Sequence, residues 1–121
     1  MNIRLRKQSA IDRRLDRILR KHRDVLKLPS MDRLKADLSI ERIIAHSLGA
    51  EAEPVRGEPR WCCPFHDDTH PSLWARDEKR RWGCNPCGIS GDIFDWITKY
   101  HELPLKVAVG YLQRHYEDFC L

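Results

Sequence analysis

The sequence predicts a small α+β domain, a short antiparallel β-sheet flanked by N- and C-terminal helices. Three observations predict it. Apolar residues recur at helical spacing near both ends of the chain, and between them lie short aromatic or alternating runs. Turn-forming residues separate those short runs, as in a hairpin. Only 41% of the 121 residues are apolar and 33% are charged, so one modest core is all that the chain can bury.

Ile11, Leu15, Ile18, Leu19, His22 and Leu26 place an apolar stripe on a helix over residues 10–27, with Pro29 as its stop. Ser9 and Asp12 form an imperfect capping box ahead of it. Ser30 to Asp37 reads as a connector with at most one helical turn. A second helix fits Ile40, Ile43, Ile44, Ser47 and Leu48, ended by Gly49 as a left-handed cap. Two prolines and a glycine make residues 51–59 a loop or an irregular edge strand. Strands are expected over Arg60 to Cys63, Ser72 to Arg76 and Arg80 to Cys84, the last two joined at Asp77-Glu78-Lys79. Residues 88–91 read as a turn. Asp92 then caps a helix carrying Ile93, Phe94, Trp96, Ile97 and Tyr100, and Pro104 opens a final helix with Leu105, Val109 and Leu112.

Charge is unevenly spread. Residues 1–30 hold ten Lys and Arg against three Asp, a net of +7, within a chain whose total is +4. The remaining residues therefore sum to −3. A basic arm, residues 1–30, is thus expected beside a near-neutral body, residues 31–121, and such an arm suits nucleic acid or a solvated helix face. No apolar run approaches the roughly 18–20 residues of a membrane span. The basic N-terminus has no apolar stretch behind it, so a secretory signal is not expected and a reducing cytoplasm is.

In that setting cysteines hold metal more often than they form disulfides. Cys63-Pro64-Phe65-His66 and Cys84-Asn85-Pro86-Cys87 form two close pairs separated by 17 residues. Each two-residue gap lets the backbone fold into a knuckle whose two ends reach one ion, and the spacer accommodates a hairpin. This is zinc-ribbon spacing, and it predicts one Zn2+ held by Cys63, His66, Cys84 and Cys87. Cys62 would point to the opposite face of a strand from Cys63. His70 could replace His66, although two symmetric knuckles are simpler. Cys120, His22, His46, His101 and His115 have no partner at metal spacing. Four protein ligands close the coordination sphere, so the zinc is expected to be structural. Asp67-Asp68 and Asp77-Glu78 read as solvated turn residues. With no phosphate-cradling glycine loop and no nucleophile elbow, the chain is not expected to be an enzyme.

Trp61-Cys62-Cys63-Pro64-Phe65-His66, Pro71-Ser72-Leu73, Arg81-Trp82-Gly83-Cys84 and Cys87-Gly88-Ile89-Ser90-Gly91-Asp92-Ile93-Phe94-Asp95-Trp96 together resemble the zinc-binding domain of bacterial DNA primases. The resemblance spans about residues 32–115 and carries the four zinc ligands over to the same positions. It departs at Asn85-Pro86, where the family has an aromatic residue and a glycine, and Pro86 removes an amide donor from that knuckle. His70 stands where the family has threonine. A full primase also has a polymerase domain with clustered acidic residues that hold magnesium, for which these residues offer no counterpart. The resemblance therefore implies a DNA-binding module that holds single-stranded template and supports primer initiation in DNA replication, with a primase catalytic domain or a helicase as partner in trans. Two other classes stay open, a zinc-stabilised protein-interaction adaptor and a small regulator gripping duplex DNA with the helix over 10–27.

The resemblance also makes the Leu73 side of its strand the buried one. Trp74 and Arg76 then face solvent, unless the N-terminal helix covers Trp74. With Arg76 to Lys79 as the turn, Trp74 pairs with Arg81 and Leu73 with Trp82. The expected nucleic-acid contacts are Trp74, Arg76, Arg80 and Arg81, and a one-residue slip would expose Trp82 instead.

Overall fold

The computed structural model describes residues 28–121. The helix expected over 10–27, and with it nearly all of the basic arm, lies outside the described residues.

The first element is a helix where a connector was expected. Ser30 caps α1 (Met31–Asp37) by accepting the Arg33 amide hydrogen at 3.2 Å. Leu34 is the one buried side chain of α1, and a helix with a single buried position shows no periodicity to read. α2 (Ile40–Leu48) buries Ile40, Ile43 and Ile44 and ends at Gly49, whose φ of 63° is left-handed as expected.

Residues 51–61 form a hairpin. β1 (Glu53–Val55) pairs with β2 (Glu58–Trp61) across Arg56 and Gly57, both at positive φ, as a tight hairpin turn requires. Pro54 lies opposite Pro59, which places both missing amide hydrogens on one rung of the ladder. β3 (Leu73–Arg76), β4 (Arg81–Cys84) and β5 (Ile89–Gly91) complete a five-stranded antiparallel meander in the order β1-β2-β3-β4-β5. The turn expected over 88–91 is therefore a turn at Gly88 followed by a strand.

α3 (Ile93–Tyr100) starts with a full capping box: Asp92 accepts the Phe94 and Asp95 amide hydrogens, and Asp95 accepts that of Asp92. α4 (Leu105–Arg114) follows Pro104, and α5 (Tyr116–Phe119) leads to a bridge between Cys120 and Leu38. Cys120, expected to be idle, thus helps to close the C-terminus against the α1–α2 junction, where the Ser39 amide also donates to the Phe119 carbonyl at 2.7 Å. Among the described residues no helix is long and apolar enough to cross a membrane.

Helices α2 and α3 supply the side chains that cover one face of the sheet. Leu73, Ala75 and Trp82 from the strands join Leu34, Ile43, Ile44, Trp96, Ile97 and Leu112 in one core. Each fully covered indole finds an acceptor: Trp61 on the Ala50 carbonyl, Trp82 on the Asp92 carbonyl and Trp96 on the Ser47 hydroxyl.

The β3–β4 register differs from the expected one. Arg76 pairs with Arg81, Ala75 with Trp82, Trp74 with Gly83 and Leu73 with Cys84, so the turn is Asp77 to Arg80. The shift is two residues along the partner strand, which preserves the inside and outside of both strands. The reason is Asp77, expected to be solvated. Its carboxylate accepts the Ser39 hydroxyl at 2.7 Å and the Glu41 amide at 3.1 Å, while its own amide donates to Glu41 at 2.9 Å. The hairpin tip is fastened to the first turn of α2, and Asp77 must lie past the last rung to reach it.

Candidate metal centre and nucleic-acid face

The first knuckle follows β2 and the second joins β4 to β5. Strand pairing brings them together, because Cys84 closes β4 opposite Leu73 and Ile89. The Sγ atoms of Cys63, Cys84 and Cys87 and a ring nitrogen of His66 all lie within 4.8 Å of one another. Cys63 Sγ is 3.7 Å from Cys87 Sγ, and His66 Nδ1 is 3.8 Å from Cys84 Sγ and 2.9 Å from Cys87 Sγ. A tetrahedral zinc with bonds of about 2.0–2.3 Å spaces its ligand atoms about 3.3–3.8 Å apart, so the set fits once His66 and Cys87 open slightly. Cys62 is exposed and His70 is outside the cluster, so the His66 arrangement is the one assembled.

The three thiols ionise unequally. Burial, reinforced by the neighbouring thiols, pushes Cys63 up to about 12, and burial also raises Cys87. Burial opposes ionisation of Cys84 too, yet the Cys87 amide, donating to its sulfur, holds its thiol below the ordinary range. The knuckle that contains Pro86 therefore keeps a backbone donor, from Cys87. Three crowded thiols resist ionising together, and a divalent ion bound among them would favour their thiolate forms.

Asp68 is the functional residue that sequence reasoning missed. Its carboxylate accepts the Cys63 amide at 2.8 Å, the Ser72 hydroxyl at 2.5 Å and the His70 amide at 3.3 Å. It also faces His66 Nε2 at 3.5 Å. These donors lower its pKa to about 2, the Cys63 amide contributing most. A carboxylate on the Nε2 side of the ring, with Nδ1 toward the sulfurs, is the placement that orients histidine ligands. The acidic residue two positions after His66 was the available signal, but its partners at Cys63 and Ser72 are visible only in the fold. Phe65, between the ligands of the first knuckle, packs against Trp82, Trp96 and Tyr100 and anchors the knuckle to the core.

On the opposite face of the sheet lie Trp74, Arg76 and Arg81. Trp74 is half-buried, Arg76 pairs with Glu78, and Arg81 donates to the Ser90 hydroxyl at 3.3 Å. Arg80 stands apart from them. At φ 52° in the turn, it donates to the Ala36 carbonyl near the end of α1 at 3.2 Å. Arg60, not singled out from sequence, joins the face opposite Trp74 and pairs with Glu58 at 3.0 Å.

Residues 26–118 match the family model of the CHC2 zinc finger. The DNA primase of Aquifex aeolicus is 29% identical over 86 residues, covering 71% of this chain and 17% of that protein. The DNA primase of Mycoplasma genitalium is 32% identical over 85 residues, covering 70% and 14%. The crystal structure of the Aquifex aeolicus primase, comprising its zinc-binding and RNA polymerase domains, superposes with a TM-score of 0.59 at 28% identity. That match covers 71% of this chain and 21% of the other. The chain thus spans 14–17% of the length of these two curated relatives.

Proposed function

The chain belongs to the CHC2 zinc-finger family and carries one structural zinc, and from that premise we propose that it binds single-stranded template DNA and supports primer initiation with a separate catalytic partner. Zinc bound by Cys63, His66, Cys84 and Cys87 would crosslink the two knuckles and set the sheet rigidly. One observation carries the DNA reading: the side of the sheet away from the core presents a half-buried tryptophan, Trp74, beside Arg60, Arg76 and Arg81. An indole stacks on an unstacked base, and arginines on the same face hold the flanking phosphates. The basic arm, residues 1–30, adds long-range attraction to the module formed by residues 31–121.

The matches cover a zinc-binding segment of the relatives and not their full length. In the proposed reading the module acts as an accessory in the cytoplasm, and a primase catalytic domain or a helicase is its partner. Purified alone it synthesises no primer, because a closed zinc site cannot activate a primer hydroxyl by the two-metal route.

Anisotropy of labelled single-stranded DNA, duplex DNA and RNA across a salt series tests the proposal. Single-stranded DNA should bind tightest, Trp74→Ala should weaken it about ten-fold with zinc retained, and removal of residues 1–28 should flatten the salt slope. A preference for duplex would favour the regulator. No affinity for any nucleic acid would leave the adaptor.

A further inference from the structure

The outer face of the sheet contains one continuous rung. Arg60 lies opposite Trp74, Trp74 opposite Gly83, and Gly83 opposite Ser90. Side chains facing each other on such a rung stand about 4.5–5.5 Å apart at Cβ, so a tryptophan and its neighbour compete for space. At Gly83 the competition is absent. A Cβ there would lie 2.8 Å from Cζ2 and 2.9 Å from Cε2 of the Trp74 indole, closer than carbon atoms approach without a shift, and 3.0 Å from the Ile89 carbonyl oxygen, a tight contact on the β5 side. Gly83 is not among the glycines at positive φ, so backbone conformation is not the reason for it. What the missing side chain leaves is room for an indole.

Two of the three arginine charges on this face are answered from within. Arg60 is paired with Glu58 and Arg76 with Glu78, while Arg81 is hydrogen-bonded to Ser90. Phosphates must compete with Glu58 and Glu78 for Arg60 and Arg76, so these arginines hold them weakly and counterion release on binding is correspondingly small. The one large uncharged feature is the indole beside Gly83.

We propose that Gly83 is a positioning residue: by leaving space on the rung it seats Trp74 against the sheet as a stacking platform for one unpaired base, and this face binds mainly by stacking. The inference rests on the single-strand reading above and adds to it the residue that sets the geometry and the interaction that dominates. A base inside a duplex is already stacked on both sides, so a seated indole of this kind selects single strands.

The full chain and its Trp74→Ala, Gly83→Ala and Trp74→Ala/Gly83→Ala variants test it. The measurements are zinc per chain, acrylamide quenching of tryptophan fluorescence, and anisotropy of a labelled oligothymidylate at several salt concentrations. Trp61, Trp82 and Trp96 are at most 5% exposed, so quenching reports chiefly on Trp74. Gly83→Ala should keep its zinc, make Trp74 more quenchable, and bind the oligonucleotide about ten-fold more weakly with the salt slope unchanged. The double variant should bind no worse than Trp74→Ala, because the indole is the nearest group that a side chain at Gly83 meets. Unchanged quenching and affinity in Gly83→Ala would overturn the proposal. So would additive losses in the double variant, or zinc loss in both Gly83 variants, which would assign the glycine to the β4–β5 backbone. Zinc lost in Gly83→Ala and regained in the double variant would support the collision. If the parent binds oligothymidylate and these variants do too, the seat alone fails; if the parent does not bind, the single-strand reading falls and takes the platform with it.

Discussion

On β3 and β4, Leu73, Ala75, Trp82 and Cys84 point inward and are at most 1% exposed, whereas Trp74, Arg76 and Arg81, interleaved with them, keep contact with water. The inner residues meet helices, aromatic rings and the metal cluster. Of the outer ones, Arg76 pairs with Glu78 and Arg81 donates to Ser90. Stability and, under the proposed function, binding thereby fall to alternate residues of the same eight. Substitutions one position apart should have effects of different kind, and the two faces can be tested against each other.

The largest effect is expected at the metal cluster on the inner side. Cys63→Ser or Cys87→Ser should lose zinc and cooperative unfolding together, since a structural zinc contributes several kcal/mol or more to a domain of this size. Cys62→Ser, exposed and one residue away, should keep both. Elemental analysis beside a urea titration measures this, and full zinc in Cys63→Ser would remove the residue from the ligand set.

Next is the contrast between the two strand tryptophans. Trp82→Ala removes a buried indole and its bond to the Asp92 carbonyl, and should cost about 3–5 kcal/mol in denaturant unfolding. Trp74→Ala should cost under about 1 kcal/mol while weakening single-strand binding. Equal destabilisation by the two would erase the distinction between the faces.

A smaller effect belongs to Asp68, which supports the cluster without joining it. Asp68→Ala should weaken zinc about 10- to 100-fold in a competition with a chelator, with the fold intact at saturating zinc. Unchanged zinc affinity would reduce Asp68 to a turn residue.

The smallest effect concerns pH. Burial, and secondarily His46, holds His101 below its ordinary 6.5. The Ser47 hydroxyl, which accepts the Trp96 indole hydrogen, keeps its own hydrogen for His101 Nε2. As pH falls below 6.5 the unfolded chain takes up the proton first. The contribution is therefore complete above 6.5 and is lost as pH falls through the lower folded value. Urea midpoints of zinc-saturated protein at pH 7.5 and 5.5 should differ less in His101→Gln than in the parent.

Much of the metal centre was legible because its signal is local. Cys63, His66, Cys84 and Cys87 stand at knuckle spacing, and knuckle geometry depends on two intervening residues. Gly49 and Asp92 were legible as helix boundaries for the same reason, since each cap acts within one turn of its helix. Asp68 and Asp77 were not. Both looked like solvated turn residues, and both are set by partners elsewhere: Asp68 by Cys63 and Ser72, Asp77 by Ser39 and Glu41.

The sequence by itself determined which residues gather the metal and that Leu73 and Trp74 lie on opposite faces of β3, because ligand spacing and strand alternation are properties of a few consecutive residues; the family resemblance added which face is buried. Only the tertiary structure decided the register of the hairpin, the departure of Arg80 from the outer face and the arrival of Arg60 there. Each depends on where a distant element stops: the first turn of α2 fixes Asp77, the end of α1 receives Arg80, and a turn at Arg56-Gly57 delivers β2 beside Trp74. Such endpoints are set by packing across the whole domain, and no local pattern of residues encodes them.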